Sequence, residues 1–279
     1  VHQTVRKSFI NRCEGNMSDY ESAVTYSSYL AIDELLNIQR TVSAGPEHDE
    51  MLFIIIHQIY ELWFKQILHE FKYAQKNLEL GDTYSSLATL GRIRTILKVC
   101  VSQIDILETM TPRQFNSFRS FLASSSGFQS AQFREVEAVL GRRDSKMSGH
   151  LPPDAQEKIN HIKAQRSVWD SALVYFSKRG HSIPGKYLER DFTVHYEPNK
   201  DVQNVLLEIH KKDPETSMIC ERLVDIDEGL QEWRYRHVKM VERTIGHKTG
   251  TGGSSGVDYL NTTISHPVFV DLWAIRDQL

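Results

Sequence analysis

Cysteine is scarce, with three residues (Cys13, Cys100 and Cys220) in a chain of 279. An odd, widely spaced set does not build a disulfide framework. It suits a reducing compartment, so the cytoplasm is the expected location. A surplus of one charge is missing as well. Lys and Arg number 33 against 36 Asp and Glu, a net of −3. That leaves no basic excess for phosphates, and no nucleic-acid partner is expected. Long apolar runs are absent: the longest, Met51 to Ile56, is far short of a bilayer span, and no membrane association is expected. No basic-then-apolar leader opens the sequence, so the expectation is that no secretory signal is present. Strict alternation of apolar and polar residues, the mark of half-buried strands, is rare.

What is present is helical periodicity. Hydrophobic residues at 40% and charged residues at 25% are ordinary for a globular protein. Apolar residues recur at three- and four-residue steps. A first helix is expected around Tyr26, Tyr29, Ile32 and Leu36, then a turn at Gly45-Pro46. A second runs from about Asp49 to Leu80 and stops at Gly81. A third runs from Tyr84 to Glu108, with Leu90, Ile93, Leu97, Val101, Ile104 and Leu107 on one stripe. Thr111-Pro112 places a hydroxyl cap before a proline and opens another helix. After a polar break at Ser124–Gly127, helix continues to Leu140. Further helices are expected from Asp154 to Gly180 and from Glu215 to Ile245, with loop at 142–153 and from His181 to Lys200. The first 20 residues are polar and irregular and are expected to be flexible. Residues 21–279 read as one all-α domain, a helical bundle.

The last long helix is the most informative. Ile219, Leu223, Ile226, Leu230, Trp233, His237 and Met240 follow steps of 4, 3, 4, 3, 4 and 3. A histidine inside an apolar stripe must satisfy its ring nitrogens. It is either a core histidine bonded to a neighbour, the commoner case, or an axial ligand to a haem packed on the helix. Arg234 and Arg236 beside it either meet haem carboxylates or lie solvated. On the second helix Phe53, His57, Tyr60 and Phe64 share a face. His57 is either structural or a polar group set in an apolar cavity to meet a ligand N–H or dioxygen. His57 and Glu61 stand one turn apart, but no HExxH accompanies them to build a non-haem metal site. Phe115, Arg119 and Leu122 lie together on the Thr111-Pro112 helix. Arg119 either snorkels to the surface or uses its planar fork on a carboxylate. Residues 250–256 are glycine-rich. They lack the Lys-Ser/Thr of a P-loop, so they read as a plain flexible loop or a mobile lid over a ligand.

Several stretches together resemble one family, the tryptophan 2,3-dioxygenases. They are Tyr26-Ser-Ser-Tyr-Leu30, His48-Asp-Glu-Met-Leu-Phe-Ile-Ile-Ile-His-Gln58, Glu61-Leu-Trp-Phe-Lys65, Leu107-Glu-Thr-Met-Thr-Pro112, Ser125-Ser-Gly-Phe-Gln-Ser130, Trp233-Arg-Tyr-Arg-His237 and Gly250-Thr-Gly-Gly-Ser-Ser-Gly256. The resemblance runs from Tyr26 to Trp273 and is weak between Arg142 and Pro214. It implies an all-α homotetramer of the tryptophan/indoleamine dioxygenase type, with one non-covalent haem b per subunit. The implied reaction inserts both atoms of O2 across the indole C2–C3 bond of L-tryptophan, giving N-formyl-L-kynurenine, the first step of the kynurenine pathway. His237 matches the proximal haem ligand and His57 the distal histidine that meets the indole N–H. Phe53 matches the aromatic wall of the indole pocket. Arg119 matches the arginine on the substrate carboxylate, and Thr251 the threonine at its ammonium and carboxylate. Phe115 stands where some members carry tyrosine. Leu122, Ser126 and Gly250 are assigned to the neighbourhood of the haem. Tyr26, Tyr29 and Leu30 match residues that a neighbouring subunit contributes. His57 is assigned to positioning rather than to obligatory proton removal, because the indole N–H is very weakly acidic. Two other readings compete: a haem monooxygenase acting on a substituted tryptophan or indole, and a haem- or tryptophan-binding sensor without turnover.

Overall fold

The long helices grow directly from the stripes. A computed structural model describes residues 24–279 except 124, 126, 145, 146, 249–256, 262 and 265. The described residues hold helices and no strand, as the all-α reading expects. The chain divides into two units, Val1–Arg40 and Thr41–Leu279. In the first, α1 (Tyr26–Leu30) and α2 (Ile32–Leu36) replace the single helix expected there. They are separated by Ala31, whose φ of 50° is left-handed and breaks the helical path. Thr25 and Ser28 form a capping box at the start of α1.

The second unit is built on α3 (His48–Leu80), α4 (Thr83–Leu107) and, far along the chain, α11 (Pro214–Ile245). On α3, Ile56, Tyr60, Phe64, Ile67, Phe71, Ala74 and Leu78 are all buried. Their steps of three and four place them on one face. Asp49 and Glu50 sit in its first turn, where the helix dipole favours negative charge. Gly81 ends it at φ 82°, with its N–H on the Asn77 and Leu78 carbonyls. Asp82 then caps α4 by accepting from the Ser85 N–H. The six residues of the predicted α4 stripe are all buried. The Tyr60 hydroxyl donates to the Cys100 carbonyl at 2.8 Å, tying α3 to α4. Helix α11 packs against α4 at Gly229, where an added Cβ would stand 3.5 Å from Leu97 Cβ.

Shorter helices wrap this frame. They are α5 (Pro112–Arg119), α6 (Ala131–Val139), α7 (Pro153–Lys163), α8 (Val168–Lys178), α9 (Gly185–Leu188), α10 (Lys200–Lys212), α12 (Val257–Asn261) and α13 (Val270–Ala274). The helix expected from Asp154 to Gly180 is therefore two. Ser167 restarts the chain as the cap of α8, in a reciprocal box with Asp170. Helix α9 interrupts the expected loop, and α10 lies in a stretch for which no helix was predicted. Thr111 and Gln114 form the capping box of α5, with Pro112 in its first turn.

The segment after α12 is tied to the frame by one carboxylate. Asp227 on α11 is fully buried and accepts from the Val268 and Phe269 N–H groups at 2.8 and 3.0 Å and from Trp273 Nε1 at 2.8 Å. Asp227→Ala leaves these three donors, and Gln231 Nε2 which bonds the other carboxylate oxygen at 3.0 Å, without their acceptor. It is expected to destabilise the fold by about 3 kcal/mol, measured by urea unfolding, with Trp273 emission changing in step.

Candidate active site

Helices α3 and α11 bring two histidines to one cavity. Its wall carries Phe53, His57, Tyr60 and Phe64 from α3 and Trp233, His237, Met240 and Val241 from α11. Ile104 and Leu107 of α4, Phe115 and Arg119 of α5, and Phe133, Arg134 and Glu137 of α6 complete much of it. The surface is largely hydrocarbon and aromatic, with polar groups at a few points, as small-molecule sites are.

His237 makes no hydrogen bond among the described residues. Its ring lies parallel to that of Trp233, with centroids 5.1 Å apart and planes 7° from each other. Burial pushes its pKa down to about 4, and the nearby His57 and Arg134 act in the same direction. The imidazole is therefore neutral at pH 7, with lone-pair density and no protein partner, in an apolar cavity. A neutral imidazole of this kind is suited to bind a metal. His57 differs. Its Nδ1 stands 2.7 Å from the Phe53 carbonyl, which can only accept. Nδ1 therefore carries the proton, and Nε2 is the acceptor. Burial lowers its pKa, opposed by the same carbonyl and by the charge of Glu61. The Glu61 carboxylate is held by Gln132 Nε2 at 2.7 Å.

The aromatic wall is continuous. Phe53 lies 4.1 Å from the His57 ring, 5.8 Å from Phe115 and 5.6 Å from Phe118, centroid to centroid. Beyond α11 sits a buried ion cluster. Glu137 accepts from Arg134, from Arg142 at 2.9 Å and from Arg234 at 3.1 Å. Burial works to raise its carboxyl, and the three guanidiniums outweigh it, holding the group below the ordinary carboxylate range.

The family model for tryptophan 2,3-dioxygenase matches residues 11–150 and 214–279. The chain belongs to the tryptophan 2,3-dioxygenase family. It is 54% identical over 264 residues to the tryptophan 2,3-dioxygenase of Anaeromyxobacter sp. (strain K), covering 94% of this chain and 98% of that protein. It is 54% identical over 258 residues to that of Herpetosiphon aurantiacus, covering 92% and 99%. It is 42% identical over 265 residues to that of Caulobacter vibrioides, covering 92% and 98%. The family pattern passes over residues 151–213, which hold α7 to α10 and include most of the stretch where the resemblance is weak.

Of the family's matched positions, the cavity brings together Phe53, His57, Phe115, Arg119 and His237. Leu122 is buried in a cluster with Met110 and Phe118, against which Phe53 and Phe115 pack. It backs the wall rather than lining it. Ser126, Gly250 and Thr251 lie outside the described residues. Tyr26, Tyr29 and Leu30 lie on α1 in the first unit, 75%, 77% and 42% exposed. Arg234 and Arg236, read as either meeting haem carboxylates or lying solvated, both hold protein partners in the structure. Arg234 is engaged by Glu137 and by the Thr263 and His266 carbonyls, and Arg236 by Asp105 and Glu108. Two wall residues had no such assignment, Arg134 and the Trp233 indole N–H. The latter is buried with no acceptor in hydrogen-bond geometry. Arg134 was signalled only by Glu137 one turn on.

Both histidines stay neutral in the folded chain and take up protons on unfolding. A buried imidazole with a depressed pKa loses folded-state stability as pH falls through its unfolded value. In the cofactor-free chain His237 alone, at about 4 against the ordinary 6.5, is expected to cost about 3 kcal/mol of stability between pH 7.5 and pH 4. Urea unfolding across that range should show the slope, and His237→Leu should flatten it.

Proposed function

We propose that the chain is a haem-dependent tryptophan 2,3-dioxygenase that converts L-tryptophan and O2 to N-formyl-L-kynurenine. The observation that carries this reading is the neutral imidazole of His237, without a hydrogen bond among the described residues, lining the same aromatic cavity as His57, in a chain of this family. The residues fit haem b: His237 would hold the iron, and the Trp233 N–H, with no acceptor in hydrogen-bond geometry among the described residues, would meet a cofactor carboxylate. When bound, the haem supplies iron that activates dioxygen.

The chain's own residues orient and enclose the substrate. Phe53 and Phe115 offer aromatic faces to the indole. His57 Nε2 accepts the indole N–H, because its other nitrogen is committed to the Phe53 carbonyl. This is a positioning bond; attack at C2 or C3 does not need the proton removed first. Arg119, at the end of α5, takes the substrate carboxylate, with Thr251 at the zwitterionic end. Phe115 brings no phenolic hydroxyl, so the contact that tyrosine makes elsewhere in the family is absent here. Leu122, Ser126 and Gly250 belong to the cofactor's surroundings.

Assembly as a homotetramer, with Tyr26, Tyr29 and Leu30 entering a neighbour's site, is part of the same proposal. It is supported by the exposure of these three apolar side chains and by an outward apolar stripe on α3 of Met51, Ile55, Leu62 and Tyr73. A cytoplasmic location is proposed on the unpaired, buried Cys100 and Cys220.

Turnover with labelled dioxygen is expected to add two gas-derived oxygens to the product; a single one would establish the monooxygenase instead, and none the sensor. His237→Ala is expected to lose haem, seen as loss of the Soret band at unchanged fold. Arg119→Ala should raise the KM for L-tryptophan roughly tenfold or more, the worth of one hydrogen bond to a charged group, while binding of indole itself changes little. Tyr29→Ala should be inactive alone yet regain activity in mixed tetramers with a His237→Ala partner.

A further inference from the structure

A second cavity, of about 640 Å³, lies behind the first. Glu137, Arg234 and Thr263 line both. Its far wall, with Ser167, Trp169, His195 and Tyr196, comes from the segment that the family pattern passes over. Its volume is within the range of roughly 300–1,000 Å³ usual for small-molecule sites.

The chemistry of the wall is specific. Arg143 is 8% exposed. Its guanidinium donates only to carbonyls: Phe192 and Ala138 at 2.6 Å, Arg142 at 3.1 Å and Gln165 at 3.2 Å. No carboxylate lies within ion-pair distance of it among the described residues. The nearest influence, Asp170, is bound by both Arg190 Nε at 2.7 Å and Nη2 at 3.0 Å. Arg143 is thus a buried cation hydrogen-bonded to dipoles, with the Asp170 charge acting on it from beyond ion-pair distance. Burial pushes its pKa down to about 10. An uncompensated buried charge is costly, and an anion in the adjoining cavity removes that cost. Trp169 is 3% exposed; its indole N–H stands near the Tyr196 hydroxyl but has no acceptor in full hydrogen-bond geometry among the described residues. Tyr196, Leu230 and Val268 give the wall an apolar part, beside a charged part in which the guanidiniums of Arg142, Arg143 and Arg234 outnumber the carboxylates of Glu137 and Asp144. The space is far larger than a simple inorganic anion, and the lining suits a ring.

We propose that this cavity binds a small aromatic carboxylate, its carboxylate on Arg143 and the Trp169 N–H and its ring against Tyr196 and Leu230. The site is separate from the one proposed for L-tryptophan, and its test does not depend on turnover.

The experiment is calorimetric titration of 2-aminobenzoate into the full-length holoenzyme, without oxygen and saturated with L-tryptophan. Binding of one molecule per chain is expected to persist with L-tryptophan present. Arg143→Gln should weaken it by roughly ten- to a hundredfold, as loss of a charged hydrogen-bond partner does. Trp169→Phe, which keeps a ring and removes the N–H, should weaken it several-fold and decides the matter if Arg143→Gln fails to fold. Acetate should bind far more weakly. Abolition of binding by L-tryptophan, affinity unchanged by both substitutions, equal affinity for acetate, or no heat at millimolar probe would each overturn the proposal.

Discussion

The site depends on one constraint: an imidazole placed on the buried seam of a long helix, where none of the described residues hydrogen-bonds it. Helix α11 carries its apolar stripe along α4, touching α3 through Trp233 against Tyr60 and Phe64, and His237 takes the next place on that stripe after Trp233. The stacked indole fixes the ring plane, and the surrounding hydrocarbon keeps the ring uncharged. Each effect is ordinary for a helical core. Together they leave a lone pair directed at a cavity, and the other wall residues gain their meaning from it.

Charge is organised around a second point, Glu137. A carboxylate this deeply buried would be protonated if alone. Three guanidiniums from α6, the following loop and α11 keep it ionised. Removing any one partner exposes the remainder to a low-dielectric setting, which is more damaging than never having had the group. The cluster joins elements far apart in the chain and forms the partition between the two cavities. It also binds Arg134 on the partition's cavity side, where that side chain lines the wall opposite His57's helix.

Much of this was legible in the residues, and unevenly so. The α4 stripe and the ends of α3 and α11 follow from periodicity, Gly81 and Gly246, because these signals are local. The Thr111-Pro112 start was readable for the same reason: cap and proline are adjacent. The division of 154–180 into α7 and α8 was missed because Ser167 and Asp170 make a capping box inside a run whose apolar spacing carries on past it. The ion pair of Arg234 was not legible, because proximity to His237 along a helix says nothing of what lies across from it. Its true partner, Glu137, is 97 positions away. The pairing of His57 with His237 came from the family resemblance, since spacing alone favoured core histidines. Their convergence on one cavity is a property of how α3 and α11 pack, which no local pattern encodes.

The Phe53 carbonyl has one more consequence. Because helix α3 itself captures one nitrogen of His57, the ring cannot swap tautomers to suit its guest. Whatever lies in the cavity meets a fixed lone pair. Heteroaromatic isosteres in which oxygen or sulfur replaces the indole nitrogen would face it with electron density of their own. Discrimination between a donor and a non-donor ring is thus written into the main chain, one turn before the histidine, and needs no side chain to enforce it.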